Sequence, residues 1–265
     1  MSGKSTAAAS PSVKAPTVAG EKAKPARAPR TSSRARLDDP DAPAMIMRAW
    51  PHVREMMARR GYDASSGMSA DIGKAKAAKT PIYRVLQPQD QETIDATLRE
   101  ARASGAKRAR VDRPQGPILL VFTAVPKINV DIVRAAVERM GRGDGTGPIP
   151  RAMLLSCKGY TSQVPGEIAK LLRPGWRVEL ATYGQHFFCP VDHRSVPPHD
   201  ILSQAQKAQL LARLGLTDDT RLPRQLMKDT LSRYYGLEPG AVVHYRRSMG
   251  TLEMVHYYRV VVASD

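Results

Sequence analysis

Residues 222–259 read LPRQLMKDTLSRYYGLEPGAVVHYRRSMGTLEMVHYYR, a run of helix, turn and strand signals packed into fewer than forty positions. Leu237-Glu238-Pro239-Gly240 is a turn signal, because proline presets one backbone angle and glycine accepts a positive φ. Ala241–Arg246 is β-prone, Gly250 suits a hairpin tip, and Met254–Val262 supplies the returning strand. Tyr257, Tyr258, Val260, Val261 and Val262 are too apolar for a solvated strand, so this sheet is expected to pack on a helix or on another chain. Just upstream, Ser203 with Gln206 three residues on is a capping box. Leu210, Leu211 and Leu214 then give a short helix an apolar face before Gly215 stops it. From spacing alone Arg233, Tyr234 and Tyr235 admit two readings: they staple the core of this small domain, or they meet a partner.

Working outward, the segment before His193 alternates helix and strand. A first helix is expected from about Pro43 to Arg60, with Ile46, Trp50, Val53 and Met57 as its apolar stripe and Gly61-Tyr62 ending it. Pro51 predicts either a kink or a start nearer Trp50. A Gly, Lys and Ala linker (63–80) leads to a second helix capped by Asp90, with Ile94 and Leu98 inward. Pro117–Thr123, PILLVFT, is a continuous apolar run of the kind found in a buried central strand. Asn129 caps a helix carrying Val130, Val133, Val137 and Met140. Residues 151–156 predict another buried strand, Val164–Leu172 a helix, and Trp176–Ala181 and His186–Val191 further strands. This alternation describes an α/β domain with a mixed sheet of few strands.

Composition bounds the function. The 265 residues are 42% hydrophobic, enough for real cores. No apolar stretch is long enough for a membrane-spanning helix. Cys157 and Cys189 are the only cysteines, too few for a Cys-only zinc site, and with His193 they lack the close spacing of zinc motifs. The net charge is +16, and residues 1–36 hold eight Lys and Arg against one Glu. That Ala-, Ser- and Pro-rich tail cannot bury enough apolar surface to offset its ordering entropy, so disorder is expected for residues 1–40. It would serve as a solubilising or nuclear-import segment, or contact nucleic-acid phosphates non-specifically. A mitochondrial presequence fits less well, since proline interrupts the amphipathic helix such a signal needs. Lys107, Arg108, Arg110 and Arg113 form a further basic run, either a solvated loop or a phosphate-facing patch.

Signs of catalysis are few. The Gly141–Gly147 run lacks a Gly-Lys-Ser/Thr ending and is no Walker phosphate loop. Arg142-Gly143-Asp144 spells an adhesion tripeptide that such a loop produces by chance. Glu167 and Lys170 have the wrong spacing for a nuclease E-x-K strand, no serine sits in a nucleophile elbow, and nothing pairs Cys157 with His186. There is no aspartate-rich magnesium loop. No catalytic, cofactor or metal residue is therefore assigned.

The landmarks Leu222-Pro223-Arg224, Asp229, Arg233-Tyr234-Tyr235-Gly236-Leu237, Gly240, Val242-Val243, Arg247 and Tyr258-Arg259 fall in one register, preceded by His193, Val196-Pro197 and His199. They resemble the fifth subunit shared by the eukaryotic nuclear RNA polymerases I, II and III, whose C-terminal half corresponds to a small subunit of the archaeal RNA polymerase. Arg48-Ala49-Trp50, Arg60-Gly61-Tyr62, Val125-Pro126-Lys127, Glu138-Arg139-Met140 and Lys158-Gly159-Tyr160-Thr161 are similar to its N-terminal half. The chain departs from the family at Thr230, Ala205-Gln206, Ser248-Met249-Gly250 and Ser162. With the basic tail, these departures suggest a divergent lineage such as a protist or a large DNA virus.

The resemblance implies an α+β protein in three parts: a disordered basic tail (1–40), an N-terminal α/β jaw domain with a small mixed sheet (41–190), and a compact C-terminal α+β assembly domain (191–265). It implies a non-catalytic subunit of a multisubunit DNA-directed RNA polymerase. The C-terminal domain would dock on the largest subunit through Leu222, Pro223, Arg224, Arg233, Tyr234 and Tyr235. The jaw would flank downstream duplex DNA with Lys127, Lys158 and Thr161 on the DNA side. Residues 37–198 hold 24 Lys and Arg against 17 Asp and Glu, a charge sign that suits this placement. Location in the nucleus, or in a viral factory or virion, follows from the same resemblance; no membrane, cofactor or small-molecule substrate does. The alternative is a free-standing, non-specific DNA-binding or chromatin-associated protein that reuses the same fold.

Overall fold

The computed structural model describes residues 42–65, 81–105, 109, 111, 112, 114–143, 145, 147–248 and 254–263. The expected disordered tail, most of the 63–80 linker, the run Lys107, Arg108, Arg110 and Arg113, and the hairpin tip at Gly250 lie outside them. Helix α1 (Ala42–Arg59) buries Ile46, Trp50, Val53 and Met57 as the stripe predicts, together with Ala42, Ala49 and Met56. It starts at Ala42 and carries Pro51 inside it, which corrects the start near Trp50. The missing N–H at Pro51 costs little here, because it would have bonded the carbonyl of Met47, and both residues face solvent.

The first sheet has the order β1 (Ile82–Leu86), β2 (Ile118–Phe122), β3 (Arg151–Ser156), β4 (Arg177–Thr182). β1 runs antiparallel to β2, whereas β2, β3 and β4 are parallel. The unbroken apolar run of β2 follows from burial on both faces. Ile118, Leu120 and Phe122, with Met153 and Leu155, join the core of α1. Leu119 and Val121, with Ala152 and Leu154, pack with α3 (Val130–Arg142) and the start of α4 (Val164–Leu171). Helix α2 (Gln91–Ala103) turns Ile94 and Leu98 inward, and the Asn129 side chain accepts from Ile132 N at 3.0 Å to cap α3.

No strand forms at His186–Val191. Two 3-10 turns, Tyr183–His186 and Pro190–Asp192, stand there instead. Pro190 has no N–H for a ladder. The Thr182/Gln185 capping box ends β4, and the buried Tyr183 hydroxyl turns inward, 2.9 Å from Thr123 O.

The second sheet has the order β5 (His199–Ile201), β7 (Val242–Ser248), β8 (Met254–Val262), β6 (Arg224–Leu226). β7 and β8 form the expected antiparallel pair, and β6 lies parallel to β8 at the edge. Helix α5 (Gln204–Arg213) begins at the predicted capping box, with Ser203 Oγ accepting from Gln206 N at 3.2 Å. Its Leu210 packs with Leu222, Val242 and Val260, and Leu211 is half-buried against them. Leu214, expected on the apolar face, is 47% exposed at the C-cap.

The short helix α6 (Thr230–Tyr235) joins the two sheets. Asp229 caps it by accepting from Leu231 N at 2.9 Å, and Gly236 ends it in the left-handed region at φ 64°. The buried Arg60, one residue beyond α1, donates from Nε to Tyr234 O at 2.8 Å and from Nη2 to Arg233 O at 2.6 Å. The same guanidinium holds Glu179 of β4 at 3.0 and 3.2 Å. A Cβ on residue 236 would stand 2.8 Å from Arg60 Nη1, so a side chain there would push the guanidinium from its place, and the left-handed φ itself favours glycine. Arg177 adds bonds from β4 to the carbonyls of Gly236 (3.1 Å) and Leu237 (3.2 Å). The outer edge of β4 is therefore covered by α6 and the turn after it.

Two groups make this seam acid-sensitive. Burial alone would raise the Glu179 carboxyl, but Arg60 and Arg177 beside it outweigh burial and hold it below the usual carboxylate range. Burial, then the charges of Arg60 and Arg233, lower His186 from 6.5 to about 4. Both groups bind protons more readily in the unfolded chain, so stability falls as pH drops.

Replacing Arg60 by Ala should destabilise the protein by about 3–5 kcal/mol, because Glu179 and two carbonyls stay buried without their cation; a loss below about 1 kcal/mol in denaturant unfolding would contradict this. Thermal stability should be greatest above pH 6.5, decline toward pH 4 as His186 titrates in the unfolded chain, and fall further as Glu179 protonates. His186→Gln should flatten the pH 6.5 to 4 slope by up to about 3 kcal/mol, and an unchanged slope would remove His186 from this role.

Candidate nucleic-acid and docking surfaces

Lys127 and Lys158 stand 31 positions apart in the chain, yet the fold brings their loops together. Both loops leave the C-terminal ends of parallel strands, one from β2 to α3 and the other from β3 to α4. Three backbone bonds stitch them: Lys158 N to Pro126 O at 2.7 Å, Ile128 N to Gly159 O at 2.8 Å, and Thr161 N to Ile128 O at 3.0 Å. Gly159 takes φ 102° in the turn, and Ser156 Oγ closes it, donating to Gly159 O at 2.7 Å. Lys127 and Lys158 point into solvent and Thr161 is half-buried.

Tyr160, 46% exposed, stands between Lys158 and Thr161. Ile128 and Tyr160 form a parallel bridge that fixes its backbone. An exposed aromatic two residues after Lys158 offers a stacking face on the same loop as a cationic group. The sequence held this signal in Lys-Gly-Tyr-Thr, but an isolated tyrosine reads equally well as core.

The six docking candidates separate by burial. Leu222, Tyr234 and Tyr235 are buried, whereas Pro223, Arg224 and Arg233 are exposed. Tyr234 lies edge-on to Tyr235, and its hydroxyl is 3.4 Å from Cys189 Sγ; burial pushes that hydroxyl's pKa up. The Tyr235 hydroxyl is 3.2 Å from His199 Nε2. The exposed Arg233 turns back along the chain, donating to Gln185 Oε1 at 2.7 Å and Leu180 O at 3.3 Å. Pro223 and Arg224 lead into the edge strand β6, where Leu226 is 53% exposed.

Gln225, between Arg224 and Leu226, points inward and is buried. It accepts from the Tyr245 hydroxyl at 2.7 Å and donates to Ser232 Oγ at 2.9 Å. This residue ties β6 to α6 and β7, and so fixes which β6 side chains face outward. Sequence reading passed over it because a lone glutamine in a polar run carries no periodic signal.

Near these residues Arg59 bridges Glu55 (2.6 Å) and Asp192 (3.0 Å). Glu55, Cys189 and Asp192 could together offer three ligand atoms within 4.8 Å of one another. The Arg59 guanidinium already pairs with both carboxylates, so the arrangement works as an ion-pair network. His193, the third ligand imagined from sequence, is not part of it. Among the described residues, no helix is long and apolar enough to cross a membrane.

The family described as RNA polymerase Rpb5, C-terminal domain, matches residues 188–261, the span from the second 3-10 turn through β8. The chain is 29% identical over 154 residues to the Caenorhabditis elegans protein named DNA-directed RNA polymerases I, II, and III subunit RPABC1, covering 58% of this chain and 70% of the relative. It is 28% identical over 175 residues to DNA-directed RNA polymerase subunit 5-like protein 1 of Arabidopsis thaliana, covering 64% and 78%. Over 79 residues it is 34% identical to DNA-directed RNA polymerase subunit Rpo5 of Pyrococcus horikoshii, covering 30% of this chain and 95% of that protein. An archaeal relative matched over nearly its whole length, together with eukaryotic relatives that extend into the first sheet's half, places the chain in one group: it belongs to the Rpb5/Rpo5 family of RNA polymerase subunits.

Proposed function

We propose that this protein is a non-catalytic subunit of a multisubunit DNA-directed RNA polymerase, acting in the nucleus, with residues 41–190 as a jaw beside downstream duplex DNA and residues 191–265 as the module that docks on the largest subunit. The observation that carries this reading is the family match over residues 188–261, the same span that holds the β6 edge and the buried frame behind it.

On the docking side, Pro223, Arg224 and Leu226 are the exposed groups on that edge. An edge strand has unpaired backbone groups for a partner chain, and here an apolar leucine and an arginine flank it. Leu222, Tyr234 and Tyr235 shape the surface from beneath, and Arg233 fixes α6 to β4 beside it. On the DNA side, Lys127 and Lys158 present two cations on a stitched, ordered loop pair, with the Thr161 and Tyr160 side chains available for further contact. The interaction is electrostatic and independent of sequence, as suits a polymerase that must pass over any template.

Charge reversal of Lys127 and Lys158 to Glu in the full chain should weaken binding to a random-sequence duplex. It should also reduce the slope of log affinity against log salt by roughly 0.9 for each phosphate that is no longer neutralised. An unchanged affinity and slope would remove these lysines from the DNA side. Arg224→Glu should lower recovery of the largest polymerase subunit with the tagged protein, while the variant's own stability stays within about 0.5 kcal/mol. Undiminished recovery would show that β6 is not the docking edge.

A further inference from the structure

The far part of the β7–β8 pair carries a feature that neither proposed surface uses. His244 on β7 stands opposite Tyr258 on β8, and His256 stands opposite Arg246, so the two imidazoles are diagonal neighbours on one face. His244 Nε2 lies 2.8 Å from His256 Nδ1. Their rings are nearly parallel, with centroids 5.0 Å apart. His244 also stacks on Tyr258 at 4.6 Å, and the Tyr258 hydroxyl accepts from Arg213 of α5 at 3.1 Å. His244 is thus half-buried and held in place, while His256 is exposed.

Two imidazole nitrogens this close, on neighbouring strands and open to water, form half of a transition-metal site. Zinc–nitrogen bonds of about 2.0–2.1 Å at a tetrahedral angle place two ligating nitrogens about 3.3 Å apart. A modest rotation of the exposed His256 ring widens the gap by about 0.5 Å to reach that separation. We propose that His244 and His256 bind a borderline divalent cation, Zn2+, Ni2+ or Cu2+, through Nε2 and Nδ1, with water in the remaining positions. Imidazole donors suit this class, and Cu2+ should bind tightest of the three.

The surroundings allow it. Arg246 stands opposite His256, and Asp200 engages it together with Arg102 at 2.8 Å. Arg213 is turned onto Tyr258. Burial, then Arg246 and His256, lower the His244 pKa and keep its ring neutral, as ligation requires. Ligation needs a lone pair on both facing nitrogens, so the proton that bridges Nε2 and Nδ1 in the hydrogen bond moves to the outer nitrogen of its own ring, His244 Nδ1 or His256 Nε2. The Glu55, Cys189 and Asp192 group is a poorer host, because a cation there must displace Arg59 from both carboxylates.

The test is calorimetric titration of the full chain with ZnCl2 at pH 7.5, alongside His244→Gln, His256→Gln and Cys189→Ser, with circular dichroism to establish that each variant is folded. Binding of one equivalent that is lost in either histidine variant, and kept in Cys189→Ser, is the expected result. Side-chain nitrogen NMR should show both His244 and His256 shifting as zinc is added. The absence of saturable binding, its survival in both histidine variants, or its loss in Cys189→Ser alone would overturn the assignment.

Discussion

The guanidinium of Arg60 is the group on which the arrangement of both sheets rests. It meets Glu179 of β4 and the last carbonyls of α6 at once, in a buried position, so each partner depends on the others being in place. Helix α6 has six residues, too few to be stable alone. Its carbonyl end carries partial negative charge that a buried cation satisfies, while Asp229 holds the other end. Gly236 allows the close approach, and Tyr234 and Tyr235 fill the space behind. The Arg-Tyr-Tyr-Gly-Leu segment is therefore a solution to one problem: seating a short helix against another sheet's edge strand.

That frame explains how the protein holds two of its exposed surfaces in place. The loop pair holding Lys127 and Lys158 rests on β2 and β3, and its backbone groups bond to each other across the two connections. The β6 edge rests on Gln225, which binds Tyr245 and Ser232 inside. In both places polar groups fix the backbone behind the exposed side chains. A rigid support of this kind lowers the entropy lost on association.

Much of the fold was legible because strong local signals coincide with burial. PILLVFT reads as a central strand since both its faces are covered, and Asn129 and Ser203 are caps whose geometry needs only neighbouring residues. What escaped was short or non-local. β5 and β6 have three residues each, below the length at which alternation can be seen, and the edge strand β1 carries Arg84 in a half-buried row. His186–Val191 has strand-like composition, but Pro190 and the inward turn of Tyr183 divert it. The DNA-side trio was named from family resemblance, and its closeness in space comes from bonds across the two loops. For the docking set, sequence could not separate Tyr234 and Tyr235 beneath the surface from Pro223 and Arg224 upon it. The role of Arg60 depends on partners 119 to 174 positions away.

Affinity capture of the tagged full-length protein from the cells that make it, followed by mass spectrometry, tests the central claim most directly. The account predicts recovery of the two largest RNA polymerase subunits in amounts comparable to the bait. Recovery of DNA and chromatin proteins without them would contradict it, and would mean that the family's fold serves here as a free-standing DNA-binding protein.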